Sequence, residues 1–282
     1  MSEIGYSRGL LKTKRASLST KAKNKGIMEL VSMRKIAYLT IDDAPSKDMK
    51  EKVGILASKG ISAIWFCVGS FLKKRLEYAI YAIERGSILG NHSYSHSRFS
   101  TLPLDKCLEE IQKTDKIIDE IYRRADVRRP AKFFRFPYGD KGDFQHRVFN
   151  HSELSERYKS DGNVRREEIQ GFLRSLGYTQ PKFENITYAY YRKARLTGDV
   201  DWYYTYDIME WKIPQNVHHS IVDSLQKIYE KMDEDAPEDQ QGLNYPDSEE
   251  IIVIHDHPET TCMFKPIIER LLAKSIVFKL PT

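Results

Sequence analysis

The sequence predicts an α/β fold built on a parallel sheet or barrel. Three observations predict it. Short apolar runs alternate with helix-like segments through the first half of the chain, as in repeated β-α units. The first of these runs is mostly apolar, as strands covered on both faces are. Polar, chemistry-bearing residues cluster just past the ends of the runs, where such folds collect their sites.

The elements follow in order. Residues 35–41 read as a buried strand that ends abruptly in Asp42 and Asp43. Helical sequence continues to about residue 59 and stops at Gly60. Residues 61–68 form a second strand, 74–85 a helix ended by Gly86, and 87–91 a third strand that leads into His92. Residues 104–124 make the clearest helix, with Leu104, Leu108, Ile111, Ile118 and Ile121 on one face. Residues 133–136 are the next strand.

The stretch from about 140 to 200 is charged, rich in aromatics and weakly periodic, apart from a helix at 166–176 capped by Gly177. Residues 203–206 resemble a strand that delivers Asp207, and a helix follows at about 217–232. Residues 233–250 hold eight Asp/Glu and no Lys/Arg, which suits an exposed loop. Residues 251–254 are a strand ending at His255, 266–274 a helix, and 276–280 a last strand.

Composition narrows the function classes. With 282 residues and 40 % hydrophobic content, the chain has ample material for a core. No run of about 18 apolar residues occurs, so no membrane span is expected. The net charge of +5 is concentrated in residues 1–34, which hold eight Lys/Arg against two Glu. The remainder is near neutral, so nucleic acid is not an expected partner. The basic segment 1–33 reads as a solvated tail ahead of one domain spanning 34–282. It is Ser- and Lys-rich but lacks the apolar centre of a secretory signal. A cytoplasmic location is therefore expected, or a secreted one if the native start differs. Cys67, Cys107 and Cys262 are odd in number and far apart, so reduced thiols are expected and a cysteine metal site is not.

Five short motifs carry the chemistry: Thr40-Ile41-Asp42-Asp43, His92-Ser93-Tyr94-Ser95-His96, Arg135-Phe136-Pro137-Tyr138, Asp207-Ile208-Met209-Glu210-Trp211 and Ile252-Val253-Ile254-His255. Together they contain the parts that metal-assisted acyl hydrolysis requires. His92 and His96 are four apart, which on a helical turn puts both imidazoles on one side, and with a carboxylate they make a good zinc set. The plain alternative is a polar surface loop. Asp42 and Asp43 leave a strand in different directions, so one can bind metal while the other reaches water. Their plain alternative is a turn or helix cap. Arg135 can keep an aspartate ionised and oriented, or serve as a surface cation. Pro137-Tyr138-Gly139 forms a bend able to aim a backbone N–H at an oxyanion. His255 is a strand cap, or a general acid if Asp207 meets it. Trp211 suits a core position as well as a site. His257 reads as a supporting or surface residue.

In this order the motifs resemble those of the polysaccharide deacetylase family, carbohydrate esterase family 4, over residues 34–282. The resemblance implies a distorted (β/α) barrel, often seven-stranded. It implies that Asp43, His92 and His96 bind a metal, usually zinc and sometimes cobalt or nickel. Asp42 would be the base that activates metal-bound water, held by Arg135. The metal and the Tyr138 N–H would stabilise the oxyanion. His255, tuned by Asp207, would protonate the leaving amine, and Trp211 and Ile252 would line the pocket for the acetyl methyl. The implied reaction is hydrolysis of an N-acetyl group on an amino sugar or glycan. Two alternatives use a similar site: an O-acetyl glycan esterase, and a small-molecule C–N hydrolase of the allantoinase or cyclic-imide type. A glycan-binding protein without catalysis is a fourth reading, against which the complete residue set argues. Ile41 stands where the family has Phe, Ala44 where Gly is common, and Ile252 where Leu is usual. The 68 residues between Tyr138 and Asp207 exceed the family's usual spacing. This insertion, about 141–200, is expected to cover or flank the site, with Tyr188, Tyr190 and Tyr191 available to stack on sugar rings.

Overall fold

Six short strands define the scaffold in this computed structural model: β1 (Lys35–Ala44), β2 (Ile64–Cys67), β3 (Ile88–Asn91), β4 (Tyr206–Asp207), β5 (Glu250–His255) and β6 (Ile276–Phe278). The structure describes residues 34–143, 156–193, 196, 199–214, 223–234 and 242–281. The basic tail 1–33, the start of the helix expected at 217 and the middle of the acidic segment 233–250 lie outside the described residues. The helices are α1 (Met49–Ser58), α2 (Gly69–Leu72), α3 (Leu76–Ile83), α4 (Leu104–Arg124), α5 (Glu156–Ser175), α6 (Ala189–Lys193), α7 (Leu225–Asp233) and α8 (Thr261–Ala273). No described helix is long and apolar enough to cross a membrane.

All strand pairings are parallel, in the order β3-β2-β1-β5-β4, with β6 beside the first residues of β1. Residues 133–136 do not form the expected strand. They make one bridge, Asn91 to Phe134, before Pro137 turns the chain away. Phe134 O accepts from Trp202 N at 2.7 Å, and Thr205 N donates to Ile251 O at 2.9 Å. The segment 202–207 therefore links the two open edges and closes the sheet into a distorted barrel. Among the described residues, six strands and this irregular wall form the barrel.

Side-chain alternation sorts the strand residues into two layers. Leu39, Ile41, Trp65, Cys67, Ile252 and Ile254 pack outward against Val53 and Leu56 of α1, Ala79 and Ala82 of α3, Ile118 of α4, Ile228 of α7, and Ile267 and Leu271 of α8. Ile64, Phe66, Ile88, Phe133, Trp202 and Ile251 meet in a second cluster, with Tyr38 against it. Fully burying one such side chain contributes about 1.5–3 kcal/mol. Asp42 shares the face of Tyr38, and His255 that of Ile251, by the same period of two. The end helix α8 starts earlier than the expected 266 and contains Pro266. Its buried face of Met263, Phe264, Ile267, Ile268 and Leu271 sustains the helix across the missing N–H.

The described part of the insertion is structural wall, not a cover for the site. Ile169 and Leu173 of α5, with Tyr178, pack against Phe99, Cys107, Ile111, Phe134 and Phe136. Phe183, Ile186, Tyr188 and Tyr191 enter the cluster of Phe66 and Trp202. The Tyr188 hydroxyl bonds Glu250, whose carboxylate also meets Lys35 Nζ at 2.6 Å, and both partners lie at strand starts. Tyr188 and Tyr191 are buried and so are not available to stack on a sugar. The side chain of Tyr190 lies outside what the structure describes.

Lys52 and Asp256 form a fully buried ion pair at 2.8 Å. Asp256 Oδ2 also accepts from Ser46 N at 2.6 Å, and Oδ1 accepts from Ser46 Oγ at 2.7 Å. Lys52 Nζ further donates to His257 O at 3.0 Å. Helix α1 is thereby tied to the loops after β1 and β5. Lys52→Met leaves a buried carboxylate without its cation, which costs about 3–5 kcal/mol. Urea unfolding of the variant measures this loss directly, and a midpoint equal to the parent's refutes it.

Candidate active site

Asp42 and Asp43 both reach one cavity because β1 breaks its regularity there. The β1–β2 register shifts between Ile41 and Ala44, and Asp43 adopts a left-handed backbone at φ 63°. A bulge of this kind re-aims a side chain at a strand end. Arg135 Nη1 donates to Asp42 Oδ1 at 2.7 Å and to Thr40 Oγ1 at 2.9 Å. The guanidinium lies 4.4 Å from the Phe66 ring centre. This buried, charge-assisted bond fixes one oxygen of Asp42 and leaves the other facing the cavity. Asp42 Oδ2 is 3.9 Å from His92 Nε2.

His92 and His96 do meet, with ring centres 5.0 Å apart, but not on a helical turn. The chain from 92 to 98 is an irregular loop in which Ser93 (φ 64°) and His96 (φ 60°) are left-handed. Asn91 Oδ1 accepts from Ser93 N at 2.9 Å. Glu110 of α4 clamps the loop by accepting from Tyr94 N at 3.0 Å, Ser95 N at 2.6 Å and Ser95 Oγ at 2.9 Å. Gly69 permits the approach of α2, since a Cβ there would lie 2.3 Å from Thr114 Oγ1. His92 Nδ1 pairs with Arg135 O at 2.8 Å. A carbonyl can only accept, so Nδ1 carries the proton and Nε2 is free to ligate.

His255 stands directly opposite Asp42 in the β1–β5 register. Its ring partner is Glu210, not Asp207. Glu210 Oε1 accepts from His255 N at 2.6 Å and lies 3.3 Å from Nδ1. Asp207 is turned aside: its Oδ1 accepts from Met209 N at 2.7 Å, and its Oδ2 faces Trp211 Nε1 at 3.5 Å. The left-handed turn at Met209 (φ 66°) folds Glu210 back over the strand end. No residue preference signals that turn in the sequence. Burial opposes a charged His255 ring, but Glu210, with Asp207 and Asp43 beyond it, outweighs burial and pushes its pKa up to about 10. Burial also raises the Asp207 carboxyl, against the pull of His255.

These groups line one cavity of about 750 Å³, together with Phe71, Tyr138, Tyr203, Tyr204 and Trp211. The Tyr138 ring lies 4.6 Å from that of His96, with the Arg98 guanidinium 4.2 Å from its centre. The Trp211 ring lies 6.0 Å from His255. Ile252 does not reach the cavity. It is fully buried in the outer layer with the helices, because odd-numbered residues of β5 share the face of His255. No described residue of 141–200 lines the cavity either. Glu110, Glu210 and the Lys52–Asp256 pair are the site residues that sequence reasoning missed. Glu210 lay inside the fourth motif, and only its spacing from a strand end could have suggested it.

The donor set fits a divalent metal ion. Ligand atoms from Asp43, His92 and His96 all lie within 4.8 Å of one another. Asp43 Oδ1 is 2.8 Å from His96 Nε2 and 3.5 Å from His92 Nε2, yet it is buried and makes no well-aligned hydrogen bond. Three such ligand atoms gathered this closely are what a cation requires. Burial would raise the Asp43 carboxyl, but the imidazoles of His257, His92 and His96 hold it well below the ordinary carboxylate range. A second cluster, Asp207, Glu210 and His255, also meets the distance condition. Its donor chemistry is poorer, because Glu210 is spent on His255 and burial favours a protonated Asp207. Two imidazoles and one carboxylate are the better zinc set.

Residues 31–156 match the family model described as polysaccharide deacetylase, which takes in the first three motifs. The chain is 29% identical over 103 residues to a peptidoglycan-N-acetylglucosamine deacetylase of Bacillus cereus, a match covering 36% of each chain. It is 33% identical over 101 residues to the peptidoglycan-N-acetylmuramic acid deacetylase PdaC of Bacillus subtilis, covering 34% of this chain and 21% of that one. The matches thus span about a third or less of these relatives' lengths. The fold is shared with a family 4 carbohydrate esterase from Streptomyces lividans solved with acetate, at a TM-score of 0.52 and 18% identity, covering 89% of this chain and 94% of that one. The last two motifs lie beyond the family match, but the fold carries them to the same cavity as the first three. Over residues 31–156 the chain is thus similar to the polysaccharide deacetylase family, and its fold is that of a family 4 carbohydrate esterase.

Proposed function

We propose that the protein is a metal-dependent deacetylase that hydrolyses the N-acetyl group of an amino sugar within a glycan. The observation that carries this reading is the convergence of a carboxylate held by Arg135, an imidazole held by Glu210, and the Asp43–His92–His96 set on one cavity. Two relatives described as peptidoglycan deacetylases support an amide-linked acetyl group over an ester. The aromatic lining of Tyr138, Tyr203, Tyr204 and Trp211 suits sugar rings.

Asp43, His92 and His96 would hold zinc, with cobalt or nickel as substitutes. When bound, such an ion polarises the acetyl carbonyl and makes water easier to deprotonate. Asp42, oriented by Arg135, takes one proton from the attacking water. Tyr138 borders the ligand pair, and its backbone N–H is the proposed donor to the developing oxyanion. His255 holds its proton against Glu210 and delivers it to the nitrogen as the C–N bond breaks. Water is consumed, and acetate and a free amine result. Trp211 packs beside His255, where the acetyl group and its nitrogen must sit.

A turnover panel tests the reading. With zinc added, acetate release is expected from N-acetylated chito-oligosaccharides or peptidoglycan, with neither acetate release from acetylated xylan nor ring opening of cyclic ureides. Preference for xylan would make the protein an O-acetyl esterase, and preference for ureides a small-molecule hydrolase. Asp42→Asn should retain the metal yet lower kcat by roughly 100-fold or more, the scale of a lost general base. A variant that turns over like the parent removes Asp42 from that role.

The pH profile follows from the raised pKa of His255. A general acid works while protonated, so activity persists below its folded pKa and falls as pH rises through it. The Glu210 charge also contributes stability that is present below pH 6.5 and lost as pH rises towards 10. Glu210→Gln removes that charge, so the alkaline limb of kcat/KM should move down by roughly 1–3 pH units. An unmoved limb in that variant would show that Glu210 does not set the acid.

A further inference from the structure

Asp43 presents its two oxygens to different neighbours. Oδ1 faces His92 and His96. Oδ2 lies 2.8 Å from Nε2 of His257, a histidine outside the ligand cluster and two residues past His255. We propose that His257 is a positioning residue that donates Nε2–H to Asp43 Oδ2, so that Oδ1 alone faces the metal. This rests on the reading that Asp43, His92 and His96 hold that metal.

Three features argue for it. Asp43 sits on a bulge with a left-handed backbone, a conformation that costs about 1–3 kcal/mol and needs support from its surroundings. A carboxylate on such a residue can turn about its side-chain bonds unless its second oxygen is anchored, and His257 is the donor placed to anchor it. His257 is itself held from below. Its carbonyl accepts from Lys52 Nζ at 3.0 Å and from Thr260 N at 3.2 Å, and the neighbouring Asp256 is locked by the buried Lys52. The end of β5 therefore delivers the acid His255, and the loop that follows delivers the donor His257. The His255 and His257 rings are 5.5 Å apart, so the two roles share one rigid turn. Hydrogen-bond partners of metal-binding carboxylates commonly set affinity in this way.

The test compares His257→Leu, which keeps bulk without a donor, with His257→Gln, which keeps an N–H. Zinc affinity is measured by calorimetry on the chelated protein, and the cobalt-substituted forms are compared by their visible absorption bands. Far-UV circular dichroism confirms that each variant is folded. His257→Leu is expected to bind zinc roughly 10–100-fold more weakly, while His257→Gln stays within a few-fold of the parent. The cobalt bands should keep their positions in both variants, since no ligand atom has changed. Equal affinities in the Leu and Gln variants would overturn the proposal. So would cobalt bands that shift in both, because His257 would then be a ligand. A parent that binds no zinc at all would defeat the metal reading itself, and that result is distinct from a parent that binds and a Leu variant that binds equally well.

Discussion

The parallel register of β1 and β5 sets Asp42 opposite His255, and the rest of the site depends on that pairing. Strands alternate their faces, so a slip of one residue would turn either group into the helical layer. The register is held on the outer face by Leu39, Ile41, Ile252 and Ile254 packed against the helices. Thr40 Oγ1 donating to Ile252 O at 2.8 Å holds it from the inner face. Beyond the strand ends, Asp256 N donates to Asp42 O at 2.8 Å and extends the ladder by one bond. The buried Lys52 then locks the Asp256 side chain. Asp42 and His255 are thus set by backbone pairing, while the ion-pair network fixes the loops that carry Asp43 and His257.

Around this regular frame the motif loops are irregular. Asp43, Ser93, His96, Tyr138 and Met209 all have positive φ without being glycine, and each belongs to one of the first four motifs. Such conformations cost about 1–3 kcal/mol apiece and persist where surrounding bonds over-determine them. Those bonds are visible. Glu110 clamps the histidine loop, Asp207 Oδ1 accepts from Met209 N, and His257 meets Asp43. The fold therefore spends core stability to hold side chains that would otherwise point away from one another. The cavity that results is lined by the cationic residues Lys47, Lys74, Arg75 and Arg98 as well as by Tyr203, Tyr204 and Trp211.

Much of this was legible in the sequence, for definite reasons. The apolar runs of β1 and β5 end in ionisable residues, a contrast that marks strand ends even without an alignment. The long helix α4 shows its face by period. The residues gathered in the cavity, Asp42, Asp43, His92, His96, Arg135, Tyr138, Asp207, Trp211 and His255, were all named from motif spacing. What was hidden depended on turns or long-range packing. Glu210 faces His255 only because Met209 turns left-handed, and the histidines converge through two left-handed residues rather than a helical turn. Ile252 was set in the pocket by analogy with its motif, although its parity with His255 in a strand already opposed that. The insertion reads as a cover because it starts and returns at the mouth, yet the tyrosines Tyr188 and Tyr191 are drawn into the interior beside Trp202. Local sequence carries no signal for which of two apolar surfaces a segment will choose.

The central claim is that one metal ion, held by Asp43, His92 and His96, lies at the meeting point of these loops. Anomalous X-ray scattering at the zinc absorption edge, from crystals grown with zinc, tests it most directly. The account predicts one strong peak about 2.0–2.2 Å from Asp43 Oδ1 and from both histidine Nε2 atoms. A peak instead among Asp207, Glu210 and His255, the other described cluster with suitable spacing, or no peak in the cavity, would contradict it.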